Sequence, residues 1–169
     1  MDTIRNFALT AKAIQADAAI AGPPAEGVRA SNDGVVLLSL VKGTRGYIEK
    51  IANQANGAYE NGWYDACAVM LRRLLETLLI ESFEAADKAA TIQNTNGDFF
   101  YLRDMIDAAL KEPSWNLGRN CKQAMPRLKD VGDKSAHSRR FVAQKGDLEK
   151  LLGDVRVVVQ ELVYLAKLK

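Results

Sequence analysis

Residues 63–86, WYDACAVMLRRLLETLLIESFEAA, contain neither glycine nor proline, and no other stretch of the chain constrains the fold as strongly. At about 100° per residue, Cys67, Met70, Leu71, Leu74, Leu75 and Leu78 fall on one broad apolar face, which predicts a long core helix. Asp65 lies in its first turn, where the helix dipole favours an anion. Arg72 and Glu76 project on the opposite side, one turn apart at ion-pair spacing, with Arg73 beside them. Val69, Ile80 and Phe83 share that side, so it is not a plainly solvated face. Two readings stay open. The pair is exposed and contributes only about 0.3–0.5 kcal/mol, or another helix or subunit covers this face and satisfies Arg72 and Glu76.

The flanking sequence supplies more helices. Residues 47–60 direct Tyr47, Ile48, Ile51, Ala55 and Tyr59 to a core and end at the Asn61-Gly62 pair. Residues 87–98 read as a polar loop. Residues 99–111, capped by Asp98, present Phe99, Leu102, Ile106 and Leu110. Residues 116–137, with Ser114 as a cap, contain Pro126, which should kink or restart the helix, and Gly132 as a second weak point. A turn at AQKG, with Asp147 as cap, leads to a final helix over 148–168. Its buried face carries Leu148, Leu151, Leu152, Val155, Val159, Leu162, Val163 and Ala166. The apolar run 35–41 has no second strand-like segment to pair with. The expected fold is therefore all-α, an antiparallel bundle of four to five main helices over residues 35–169. Residues 1–34 stand apart as an Ala-rich helical arm followed, at 21–34, by a linker with two adjacent prolines and three glycines.

Several function classes are set aside early. The net charge of +2 generates no global field for nucleic acid, so any such binding must come from a local patch. Cys67 and Cys121 lie far apart, with one histidine in the whole chain, so neither a zinc site nor any other metal or cofactor is expected. Isolated cysteines of this kind fit a reducing compartment. With no apolar run long enough to span a membrane and no basic-then-apolar N-terminus, a cytoplasmic protein is expected. Gly43-Thr-Arg-Gly46 has the GxxG spacing of a phosphate-clamping loop, but turn glycines beside an N-capping Thr44 explain it equally well. Gly132-Asp-Lys-Ser135 lacks the rest of a phosphate-binding loop, and neither Ser135 nor Ser138 sits in a nucleophile elbow.

What remains is the stretch 126–141, PRLKDVGDKSAHSRRF. It holds the sole histidine, His137, among Arg127, Lys129, Lys134, Arg139 and Arg140, with Asp133 one turn before it. Metal-independent RNA cleavage needs a base for the 2′-hydroxyl proton and a cation for the phosphorane, and a histidine with one or two arginines supplies both. Two chains meeting at this corner would supply two histidines. The alternative is structural: His137 hydrogen-bonds a carbonyl or carboxylate and pins its helix to a neighbour.

GWYDACAVMLRRLLETLLIESFE, followed downstream by RLKDVGDKSAHSRRF and a long C-terminal helix, resembles the HEPN-like helical superfamily. More specifically it is similar to a bacterial branch of unknown function, made of small stand-alone proteins or modules attached to defence enzymes. The resemblance covers residues 38–168. Its strongest elements are the Arg73–Glu76 helix and Gly132-Asp133-Lys-Ser-Ala136-His137. It implies an antiparallel helical bundle, usually dimeric, in a superfamily of metal-independent RNases, toxins and nucleotide-binding modules. Active RNases there carry an arginine, a polar residue, and a few residues later the histidine. His137 and Asp133 match the last two, whereas Gly132 stands at the arginine position and Arg127 lies too far upstream. Arg139 and Arg140 could replace it from the other side.

Two functions follow. One is a metal-independent RNase or RNA-binding protein in stress or phage defence, with His137 as acid/base, Asp133 beside it, and Arg139, Arg140 and Lys134 on phosphate. The other is a non-catalytic homodimerisation or interaction module with an RNA or protein partner, in which His137 and Asp133 are structural.

Overall fold

The computed structural model describes residues 34–169. The expected arm, and the linker up to residue 33, lie outside the described residues. The described elements are α1 (Leu38–Val41), α2 (Gly46–Glu60), α3 (Tyr64–Ala85), a 3-10 turn (Ala89–Ile92), α4 (Leu102–Lys111), α5 (Arg119–His137), α6 (Lys145–Glu149) and α7 (Leu152–Leu165). The fold is all-helical. Among the described residues the sole β feature is an isolated antiparallel bridge between Gln93 and Phe99, and no helix is long and apolar enough to cross a membrane.

Helix α3 is the element the others surround. Leu71, Leu74, Leu75, Leu78, Leu79 and Phe83 are all buried, and so are Glu81 and Ser82. Its neighbours run in alternating directions. The start of α2 meets the end of α3, where Arg45 Nε donates to Glu81 Oε2 at 2.7 Å and the Tyr47 hydroxyl bonds the other carboxylate oxygen. Helix α5 is likewise antiparallel to α3, since Arg72 pairs with Asp133 while the Phe83 ring stacks near Trp115 ahead of α5. Helix α7 is antiparallel to α5, with Asp154 opposite Arg127 and Glu161 accepting the Gly118 N–H. It therefore runs with α3, and the Ser82 hydroxyl reaches the Leu162 carbonyl. The Arg72/Glu76 face of α3 is partly covered: Asp133 of α5 meets Arg72, while Arg73 stays exposed.

Several local expectations are corrected. Thr44 does not cap α2. Its hydroxyl turns back to the Val41 carbonyl at 2.5 Å, while Gly43, at φ +82°, offers its N–H to Glu49. Tyr47 is 48% exposed instead of entering the core. The stretch 87–98 is not simply polar loop, because its 3-10 turn inserts a fully buried Ile92. Asp98 does not cap α4, which starts three residues later than expected, behind an extended Phe99 and Phe100. Ser114 hydrogen-bonds Glu112 and Lys88 and caps nothing; Lys88 and Ser114 together hold the Glu112 carboxyl down at about 2.

Helix α5 begins at Arg119 and continues through Pro126, which lies on its exposed side where a backbone carbonyl left unbonded can meet water. The last helix is broken at Lys150–Leu151 into α6 and α7. Gln144 and Asp147 form a reciprocal capping box at the start of α6. Leu152, displaced by this break, is 37% exposed.

Candidate functional site

The site is built on the seam between α3 and α5. Cys121, Met125, Leu128 and Gly132 recur at helical spacing along α5 and are all buried. Gly132 marks the closest approach. A Cβ at that position would lie 2.5 Å from Arg72 Cβ and 3.0 Å from the Ala68 carbonyl oxygen. A mid-helix glycine costs about 1 kcal/mol relative to alanine, and here it lets two backbones meet. The sequence reading of Gly132 as a weak point is thus replaced by one of close packing.

Because Gly132 has no side chain, Arg72 lies across it. Arg72 Nε donates to Asp133 Oδ1 at 2.6 Å, and Lys129 Nζ, one turn earlier on α5, donates to Asp133 Oδ2 at 2.5 Å. The expected Arg72–Glu76 contact is the longer one, at 3.5 Å. Partial burial pushes the Asp133 carboxyl up, but Lys129 and Arg72 outweigh it and hold the group below the usual carboxylate range. Asp133 is thereby an interhelical clasp.

Beside this clasp opens a groove of about 670 Å³. Arg72, Lys129, Asp133, Lys134, His137 and Ser138 form one wall and floor. The start of α4, with Tyr101, Leu102, Arg103 and Asp104, forms the other. His137, the last residue of α5, is exposed at the rim. Four arginines and lysines therefore line the groove against two carboxylates, and Lys134 has its own partner, Asp130, at 2.7 Å outside the lining.

A family model described as a domain of unknown function, DUF4145, matches residues 53–169, a span holding α3 to α7 and every wall of the groove. The chain belongs to the DUF4145 family. No curated protein and no solved structure matches it.

The DUF4145 chain does not gather all the residues singled out from sequence. Arg139 and Arg140 are exposed but outside the groove lining; they follow Ser138, whose hydroxyl accepts the N–H groups of Arg140 and Phe141 and turns the chain away from α5. Arg127 makes a two-pronged bond to Asp154 on α7, with both N–O distances 2.7 Å. Arg73 is exposed and makes no ion pair among the described residues. The two cysteines are fully buried, and burial pushes both thiols up to about 12, so neither is a thiolate near neutrality.

Three groove residues, Tyr101, Arg103 and Asp104, escape the sequence pattern. The available signal was the triplet Phe99-Phe100-Tyr101: three consecutive aromatics cannot all face inward from one helix. The Arg72–Asp133 bond links residues 61 positions apart, which helical periodicity within either segment cannot pair.

Proposed function

We propose that this DUF4145 chain is a HEPN-like antiparallel helical bundle that acts as a homodimeric, non-catalytic interaction module in a defence or stress response. The observation that supports this reading is the commitment of Gly132 and Asp133 to the α3–α5 seam. At the arginine position of the resembling RNases there is no room for a side chain. Two cations of the groove lining, Arg72 and Lys129, already share one carboxylate, and a third, Lys134, pairs with Asp130. A cation that must move onto a phosphorane as charge develops is poorly supplied by groups clasped in this way.

The competing reading, a metal-independent endoribonuclease, draws on the position of His137 at the rim of a cationic groove. One assay separates the two. Wild-type protein and His137→Ala are incubated with total RNA at low salt in the presence of a chelator. Intact RNA in both is expected; cleavage by wild type that disappears in His137→Ala overturns the non-catalytic reading. For assembly, light scattering at micromolar concentration should give twice the chain mass, and a monomer mass overturns the dimer.

A further inference from the structure

The groove borders a feature that neither the core nor the α3–α5 clasp explains. Phe99, Phe100 and Tyr101 are 40%, 38% and 84% exposed. Burying a large apolar side chain is worth about 1.5–3 kcal/mol, so two partly exposed phenylalanines followed by an almost fully exposed Tyr101 call for another role. Their backbone is fixed: Phe99 bridges Gln93, and the Phe100 N–H donates to the carbonyl of the buried Ile92 at 2.9 Å. Tyr101 follows at the start of α4, and it lines the groove together with Arg103, Lys129 and Lys134.

We propose that this groove binds single-stranded nucleic acid, with an unpaired base stacked on Tyr101 and the phosphates crossing Arg103, Lys129 and Lys134. The proposal deepens the interaction-module reading, and rests on it, by naming the partner. A flat π surface at the edge of a cationic channel is how sequence-tolerant single-strand binding works, since every base has a face to stack and every nucleotide a phosphate. The charge supports it. Four cations line the groove against Asp133 and Asp104; Asp133 is shared by two of them, Arg103 makes no ion pair among the described residues, and Asp130, the partner of Lys134, is outside the lining. A duplex has no free base to offer Tyr101. An acidic peptide would use the cations but would leave the ring idle.

The test is fluorescence anisotropy of a short labelled oligouridine with the full chain. Binding is expected to weaken about twentyfold for a fourfold rise in salt, the response for about three phosphate contacts on a single strand. Tyr101→Ala should weaken it by about five- to a hundredfold with an unchanged melting temperature, while Tyr101→Phe should keep it. The matching duplex and polyglutamate should compete poorly. Equal affinity in Tyr101→Ala, or a duplex or polyglutamate that competes as well as the single strand, overturns the proposal, as does an absence of binding at low salt. RNA cleavage dependent on His137 would sink the non-catalytic reading and leave this binding result standing, whereas absent binding would do the reverse.

Discussion

The last turns of α5 present two faces a few residues apart that behave in opposite ways. On the inner face, Leu128 and Gly132 are buried against α3, and the Asp133 carboxylate is held by Arg72 and Lys129. On the outer face, Lys134, His137 and Ser138 stand exposed along the groove. The inner face resists change because its contacts involve backbone and short, directed bonds. The outer face tolerates change, as surfaces do, and is where a ligand can be met. The difference shows that residues adjacent in a motif need not share a task. Asp133 and His137 are one turn apart, yet one closes the structure and the other faces out.

The strongest way to break this comparison is to place a side chain at Gly132. Gly132→Arg, which places an arginine where the RNases the sequence resembles carry theirs, has to separate α3 from α5. We expect a loss of at least about 3 kcal/mol by urea denaturation, with no RNA cleavage gained. Gly132→Ala should cost less, about 1–2 kcal/mol, because the 2.5 Å approach to Arg72 Cβ outweighs the better helix propensity of alanine. Wild-type stability together with acquired cleavage in Gly132→Arg would show that the seam is not closed.

A smaller effect comes from the clasp. The Asp133 carboxyl is held below its ordinary range in the folded state. Its contribution is therefore fully present above the unfolded value of about 3.9 and is lost as pH falls through the lower folded value. Asp133→Asn should cost roughly 1 kcal/mol at neutral pH, since its ion pairs are only partly buried. The penalty should shrink as the pH of the melting experiment is taken below about 4. A penalty that stays constant from pH 7 to pH 2 would mean that the carboxylate charge does not hold the clasp.

These two faces were not equally legible in the sequence. Helix α3 announced itself, because a run without Gly or Pro and with leucines at helical spacing has few other ways to fold. The buried face of α7 was readable for the same reason, apart from Leu152, where the turn at Lys150–Leu151 shifted the phase. The groove was readable only on the α5 side. Tyr101 and Arg103 arrive from α4, and their approach depends on the 3-10 turn that buries Ile92, a tertiary event hidden in a stretch that looks polar. Gly132 shows the same limit from the other direction. Its local propensity says weakness, and only Ala68 and Arg72 across the seam explain its presence.

The smallest expected effect tests where the outer face ends. Arg139 and Arg140 are exposed, lie beyond the C-terminal residue of α5 and are absent from the groove wall. The turn that carries them is held through backbone N–H groups to the Ser138 hydroxyl, so neither guanidinium is needed to form it. The double variant Arg139→Ala/Arg140→Ala should therefore change stability by no more than about 0.5 kcal/mol. At low salt both cations still add to the local potential, so a mild loss of oligouridine affinity is expected, fading as salt screens it. Arg103→Ala, a single charge inside the groove, should cost more than both together. If the double variant instead loses the larger share, and the loss persists at high salt, the strand passes over the Ser138 turn and the groove is only its entrance.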